Sequence, residues 1–235
     1  MEMQESTDSV GMEMIRDILG EPLAPGKMGV LMARAGVGKT ACLTHIALER
    51  LLQGTPVLHV CIDEIPDKIK VWYQELLKNS FASQPGADVA GIQYRTERQR
   101  FILAYLYHTF TPEKLEQSLQ NLKEQAHFHP ELVILDGLDF DRVHRSTLES
   151  LQAFAQRHQV PMWMSARTHR HISLTNERGI PYPCNESDDL FDSILLLEPL
   201  TETIRIRVLK HGEQYNPSVP EVFLNSQTYL LQQQD

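Results

Sequence analysis

Eight consecutive residues, Ala33-Arg34-Ala35-Gly36-Val37-Gly38-Lys39-Thr40, constrain what this chain can fold into more than any other feature. The apolar run MGVLMA (28–33) leads into them, and Leu43, Ala47 and Leu51 follow at helical spacing. A strand that turns into a helix through two glycines makes a tight loop. Gly36 and Gly38 admit backbone conformations closed to other residues, so successive N–H groups can point at one anion. The helix N-terminus adds its dipole. Lys39 supplies a positive charge for terminal phosphates, and the Thr40 hydroxyl suits a hard divalent cation. The run is a phosphate-binding loop with Ala33 in place of the usual first glycine. The expected nucleotide contacts are Arg34, Ala35, Gly36, Val37, Gly38, Lys39, Thr40 and Cys42.

Further apolar runs alternate with helical patterns. PVLHVCI (56–62), ELVILDG (131–137) and VPMWMS (160–165) read as strands, as do DSILLLE (192–198) and TIRIRVLK (203–210). A final strand pair is expected around 222–224 and 228–231. Residues 80–95, with Ser83, Pro85 and Gly86, read as a loop followed by two helices. The second opens on Thr111-Pro112, a cap with proline in the first turn. Ser146 and Glu149 have the spacing of a capping box. Strands alternating with helices predict an α/β fold with a mainly parallel sheet covered on both faces and a C-terminal antiparallel extension. The pattern predicts one domain over 11–235, preceded by a loose tail over 1–10.

Two groups of carboxylates complete the expected site. LVILD (132–136) is an apolar strand ending in an acid, so Asp136 should lie beside the phosphate loop and hold Mg²⁺. Gly137 follows it, which leaves no adjacent acid to act as a base. Asp63 and Glu64 end the second strand. Glu64 is the candidate to orient an attacking water, with Asp63 in support. The same two acids also suit the first turn of the helix that follows.

ARAGVGKTACLTHIA, CIDEIPDKI, LVILDGLDF and VPMWMSARTHR together resemble the RecA-like superfamily, in the branch of DnaB-type replicative helicases and KaiC-type ATPases. The resemblance runs from about residue 12 to the C-terminus. It implies a three-layer RecA-like P-loop NTPase fold, Mg²⁺ and ATP as ligands, and a homo-oligomer or a protein partner. Leu209-Lys210-His211-Gly212 resembles the late strand whose cations reach a neighbouring subunit's γ-phosphate, which makes Lys210 a candidate catalytic residue. Two positions depart from the pattern. Ala166 follows Ser165 where a sensor glutamine would stand, with Arg167 one place further on. His211-Gly212 replaces a second cation. The resemblance implies a slow ATPase or ATP-dependent switch. The alternatives are an ATP-binding scaffold and a DNA-associated motor accessory.

Composition narrows the field. The chain has 235 residues, 42% hydrophobic and 23% charged, enough for one large core. Three widely spaced cysteines form neither a disulfide framework nor a zinc motif. The acidic start is unlike a signal peptide, and no apolar run approaches the ~20 residues that span a bilayer. A cytoplasmic protein without membrane contact is expected. Arg167, His169, Arg170, His171 and Arg178 fall in a polar loop over 166–189, where helicases touch single strands. A solvated loop is the plainer reading, because net charge −9 repels nucleic-acid phosphate. Duplex DNA should therefore bind weakly at 0.2 M salt, as measured by fluorescence anisotropy. Submicromolar affinity at that salt would reverse this reading.

Overall fold

The computed structural model describes residues 14–232, so the expected tail over 1–10 lies outside the described residues. A nine-stranded sheet runs through it. Six strands are parallel: β1 (Met28–Ala33), β2 (Val57–Ile62), β3 (Arg100–Tyr105), β4 (Leu132–Asp136), β5 (Met162–Arg167) and β6 (Ser193–Pro199). Their order across the sheet is β3-β2-β4-β5-β1-β6. β7 (Thr203–His211) joins β6 antiparallel, and β8 (Gln214–Tyr215) and β9 (Val222–Asn225) both pair with β7. This is the mainly parallel α/β sheet with an antiparallel end.

Alternation along each strand builds two cores. In β1, Leu31 and Ala33 face one side, while Met28, Val30 and Met32 face the other. The first side packs against α1 (Met14–Leu19), α2 (Lys39–Leu52), α3 (Pro66–Ser80) and α4 (Val89–Arg98). The second packs against α5 (Pro112–Gln125) and α6 (Arg145–His158). Both faces of the sheet are thus dry, which explains why its strands read as unbroken apolar runs. Gly29 sits opposite Trp163 in the β1–β5 register, and a Cβ there would lie 2.6 Å from the indole. Only glycine lets the largest core side chain lie flat over the central strand.

Several expectations need correction. RFILAY (100–105) is an edge strand, whereas the sequence predicts helix there. An edge strand packed on one side carries no clear alternation, and its run of apolar residues fits either state. The loop expected over 80–95 ends early, because the Asp88 carboxylate accepts the Gly91 N–H at 2.9 Å and starts α4. Thr111 does cap α5, accepting from the Lys114 N–H. Ser146 does not cap α6; the helix begins at Arg145, whose guanidinium takes the Glu149 carboxylate at 2.9 Å. Residues 228–231 are not a strand. The Asn225 side chain accepts the N–H groups of Gln227 and Thr228 and turns the chain, leaving a single bridge between Leu224 and Leu231. Among the described residues, no helix is long and apolar enough to cross a membrane.

One buried polar group makes the fold sensitive to acid. His59, in β2, is fully buried with Nδ1 2.9 Å from the Tyr73 hydroxyl. Burial, helped by the Arg100 charge, pushes its pKa down to about 3. The folded state holds it neutral, while the unfolded chain protonates near 6.5. Its contribution is present above pH 6.5 and is lost as pH falls toward 3, at up to about 1.4 kcal/mol per pH unit. Urea unfolding at stepped pH should show stability declining below 6.5, with a shallower decline in His59→Gln.

Candidate functional site

The C-terminal ends of β1, β5, β4 and β2 lie side by side; Asp136 ends β4, and Asp63 and Glu64 follow β2. These strand ends open onto a cleft of about 770 Å³ whose lining includes Lys39, Thr40, Glu64, Asp136, Ser165 and Arg167. Open α/β sheets place their ligand crevices at this end of the strands. Another cavity, of about 440 Å³, lies at the other end of the sheet against Leu23, Ile46 and Trp163. It holds none of the predicted site residues.

The loop between β1 and α2 is shaped by its glycines. Gly36 has φ 78° and Gly38 φ 106°, both in the left-handed region. Arg34, Ala35 and Gly36 are exposed on its rim. The Lys39 amine donates to the carbonyls of Ala33 at 3.1 Å and Arg34 at 3.0 Å, so it bridges the loop from within. Burial lowers its pKa; Asp136 opposes that shift and the Arg167 charge adds to it. An anion in the loop would relieve both penalties on the charged amine.

Asp136 is the junction of the cleft and is largely buried. Thr40 donates its hydroxyl to one carboxylate oxygen at 2.6 Å, and Ser165 donates to the other at 2.5 Å. Ser165 in turn accepts the Gly137 N–H at 3.1 Å. Gly137 adopts φ 93°, and a Cβ there would lie 2.4 Å from the Ile62 carbonyl. The glycine that removes the usual adjacent acid is therefore required by the close passage of β2.

The two acids after β2 differ. Asp63 has φ 56°, and its carboxylate accepts the Tyr107 N–H at 2.8 Å, so it fastens the β2 and β3 ends together. Glu64 caps its own turn through the Ile65 N–H and pairs with Lys68 one helical turn on. Both line the cleft. Each acid accepts one backbone N–H, and Glu64, whose side chain is one carbon longer, is held by Lys68 as well.

Two predicted residues are not brought to the site. Cys42 is fully buried in the core with its thiol pushed up to about 12, and its N–H bonds the Gly38 carbonyl in the helix. Neither end of it can meet a ligand. Lys210 lies near the other end of the sheet, opposite Ile194, because β7 runs antiparallel. Its buried amine donates to the carbonyls of Asp188 at 2.9 Å and Phe191 at 2.7 Å. So buried, the amine is not held out to a neighbouring subunit, the catalytic role the resemblance implies for it. The loop over 166–189 is also less open than expected. Arg178 bonds Asp188 and the Tyr215 hydroxyl, His169 bonds Asp141, and Ile180 and Cys184 are buried.

Tyr229 has no signal in the sequence. Its ring rests on Gly38, where a Cβ would come within 2.2 Å, and its carbonyl lies 2.9 Å from His45 Nδ1 on α2. Trp72 meets the ring edge-on at 5.5 Å. The C-terminal segment thus straps the loop over 33–40 to its helix. No protein-family model matches the chain, and no curated protein matches it significantly.

Gly38→Ala should therefore be costly twice, through its positive φ and through the Tyr229 ring. We expect thermal unfolding to drop by several degrees, the scale of a strained or overpacked position. Adding Tyr229→Ala to Gly38→Ala should restore less than the whole loss, because the φ strain remains. An unchanged melting temperature in Gly38→Ala would show that the strap does not rest on the loop in solution.

Proposed function

We propose that this chain is a Mg²⁺-dependent ATP-binding protein of the RecA-like kind that hydrolyses ATP slowly. The observation that carries the reading is the convergence of Lys39, Thr40 and Asp136 at the strand ends, with Glu64 on the same cleft wall. The loop over 33–40 offers the triphosphate its backbone N–H groups and the α2 dipole. Lys39 exchanges its Ala33 and Arg34 carbonyls for phosphate oxygens.

The donor set suits Mg²⁺. Among the described residues no cluster of three or more metal-binding side chains occurs. Magnesium beside a nucleotide needs little from the protein, taking most of its ligands from phosphate and water. Thr40 and Asp136, whose oxygens lie 2.6 Å apart, would hold it. When bound, the ion supplies positive charge against the phosphate oxygens. Ser165 keeps the carboxylate in position through its own short bond.

Hydrolysis needs a water aligned with the γ-phosphorus. Glu64 would accept its proton as the new P–O bond forms and ADP leaves with the bridging oxygen. The ion pair with Lys68 must loosen first. That pair is also the observation favouring a second reading, a scaffold that binds ATP without turnover. Two substitutions separate the readings. Lys39→Ala should abolish ATP binding by calorimetry while the circular dichroism spectrum stays unchanged. Glu64→Gln should bind ATP normally and lower single-turnover hydrolysis by about 10²-fold. Binding that survives Lys39→Ala would sink the proposal; wild-type protein that binds but never turns over would establish the scaffold.

A further inference from the structure

Arg167 is the last residue of β5, paired in register with Ala33 at the start of the phosphate loop. The Thr168 N–H donates to the Ala33 carbonyl at 2.9 Å, which ties the two strand ends together just beyond it. Alternation along β5 puts Arg167 on the same side as Ser165 and Trp163, the side covered by α2. Its side chain lines the cleft with Lys39, and its charge depresses the Lys39 amine.

Several other guanidinium groups are paired, whereas Arg34 on the loop and Arg170 resemble Arg167 in having no ion pair among the described residues. Arg142 pairs with Asp139, Arg145 with Glu149 and Asp189, and Arg178 with Asp188. Arg205 and Arg207 share Glu198. Arg167 has no ion pair or side-chain hydrogen bond among the described residues, although two cations in one cleft repel each other. A planar fork with no carboxylate paired to it, on a cleft wall beside Lys39, is a group an oligophosphate would satisfy, although Asp63, Glu64, Asp136, Asp139 and Asp141 line the same cleft.

We infer that Arg167 contacts the terminal phosphate from within the same chain, so that the site is complete without a neighbouring subunit. The inference rests on the proposed function and deepens it. The late-strand cation suggested by the sequence cannot serve here, since Lys210 is buried on two carbonyls. A cation supplied in cis to the γ-phosphate can be worth ~10³-fold or more in rate. It also makes the site prefer a triphosphate to a diphosphate, because only the former reaches it.

The test compares wild type, Arg167→Ala and Arg167→Lys, each checked for an unchanged melting temperature. Affinities for fluorescent ATP and ADP analogues are measured without Mg²⁺, and single-turnover phosphate release is followed with Mg²⁺ over a hundredfold range of protein concentration. Arg167→Ala should weaken ATP about tenfold or more, leave ADP unchanged and slow release by ~10²-fold or more. Arg167→Lys should fall between the two, since it keeps the charge and loses the fork. Wild-type turnover per molecule should be independent of concentration. Equal weakening of both nucleotides, an unchanged ATP-to-ADP ratio, or turnover that climbs with concentration would each overturn the inference while leaving nucleotide binding intact. Wild-type protein that binds neither nucleotide would overturn the proposed function and this inference with it.

Discussion

Asp136 is bonded on both oxygens by hydroxyl groups from two other elements, and the geometry of the cleft depends on that junction. Thr40 comes from the first turn of α2 and Ser165 from β5, at 2.6 and 2.5 Å. Hydrogen bonds to a charged group are worth about 1.5–3 kcal/mol each. Here they also set where the β1 loop, β4 and β5 end relative to one another. Removing the carboxylate would leave two hydroxyls without this acceptor and cut the ties from α2 and β5 to the end of β4.

The rest of the molecule keeps those strand ends rigid. Two dry cores grip the sheet from both sides, and Gly29 lets Trp163 lie flat on the central strand. The ends themselves are joined by polar ties: Asp63 to the Tyr107 N–H, Gly137 to Ser165, and Thr168 to Ala33. Flexible parts of the cleft are then the long side chains. Lys39, Glu64 and Arg167 line the cleft from that framework; under the proposed function Lys39 and Arg167 turn to the phosphates and Glu64 to the attacking water. Preorganised charge of this kind is what stabilises developing charge at low cost.

Much of this was legible in the residues because the cleft is built from local sequence. The glycine-rich loop, the apolar strand ending in Asp136 and the acids at 63 and 64 each lie within a few residues of a strand end, so finding the strands brought these residues to one cleft. What failed was long-range. The β3 run has no alternation to distinguish strand from helix, and nothing local could place it at the sheet edge. Lys210 was assigned through resemblance, yet antiparallel β7 carries it to the other end of the sheet. Cys42 follows the loop closely in sequence but faces the core, since the helix has turned by then. Tyr229 on Gly38 and the freedom of Arg167 depend on contacts that no spacing encodes.

The central claim is that the loop over 33–40 closes on the phosphates of ATP. A crystal structure with Mg²⁺ and a non-hydrolysable ATP analogue tests it most directly. The account predicts a triphosphate wrapped by this loop, with the Lys39 amine moved from the Ala33 and Arg34 carbonyls onto phosphate oxygens. An empty loop at saturating nucleotide, with Lys39 still on those two carbonyls, would contradict it.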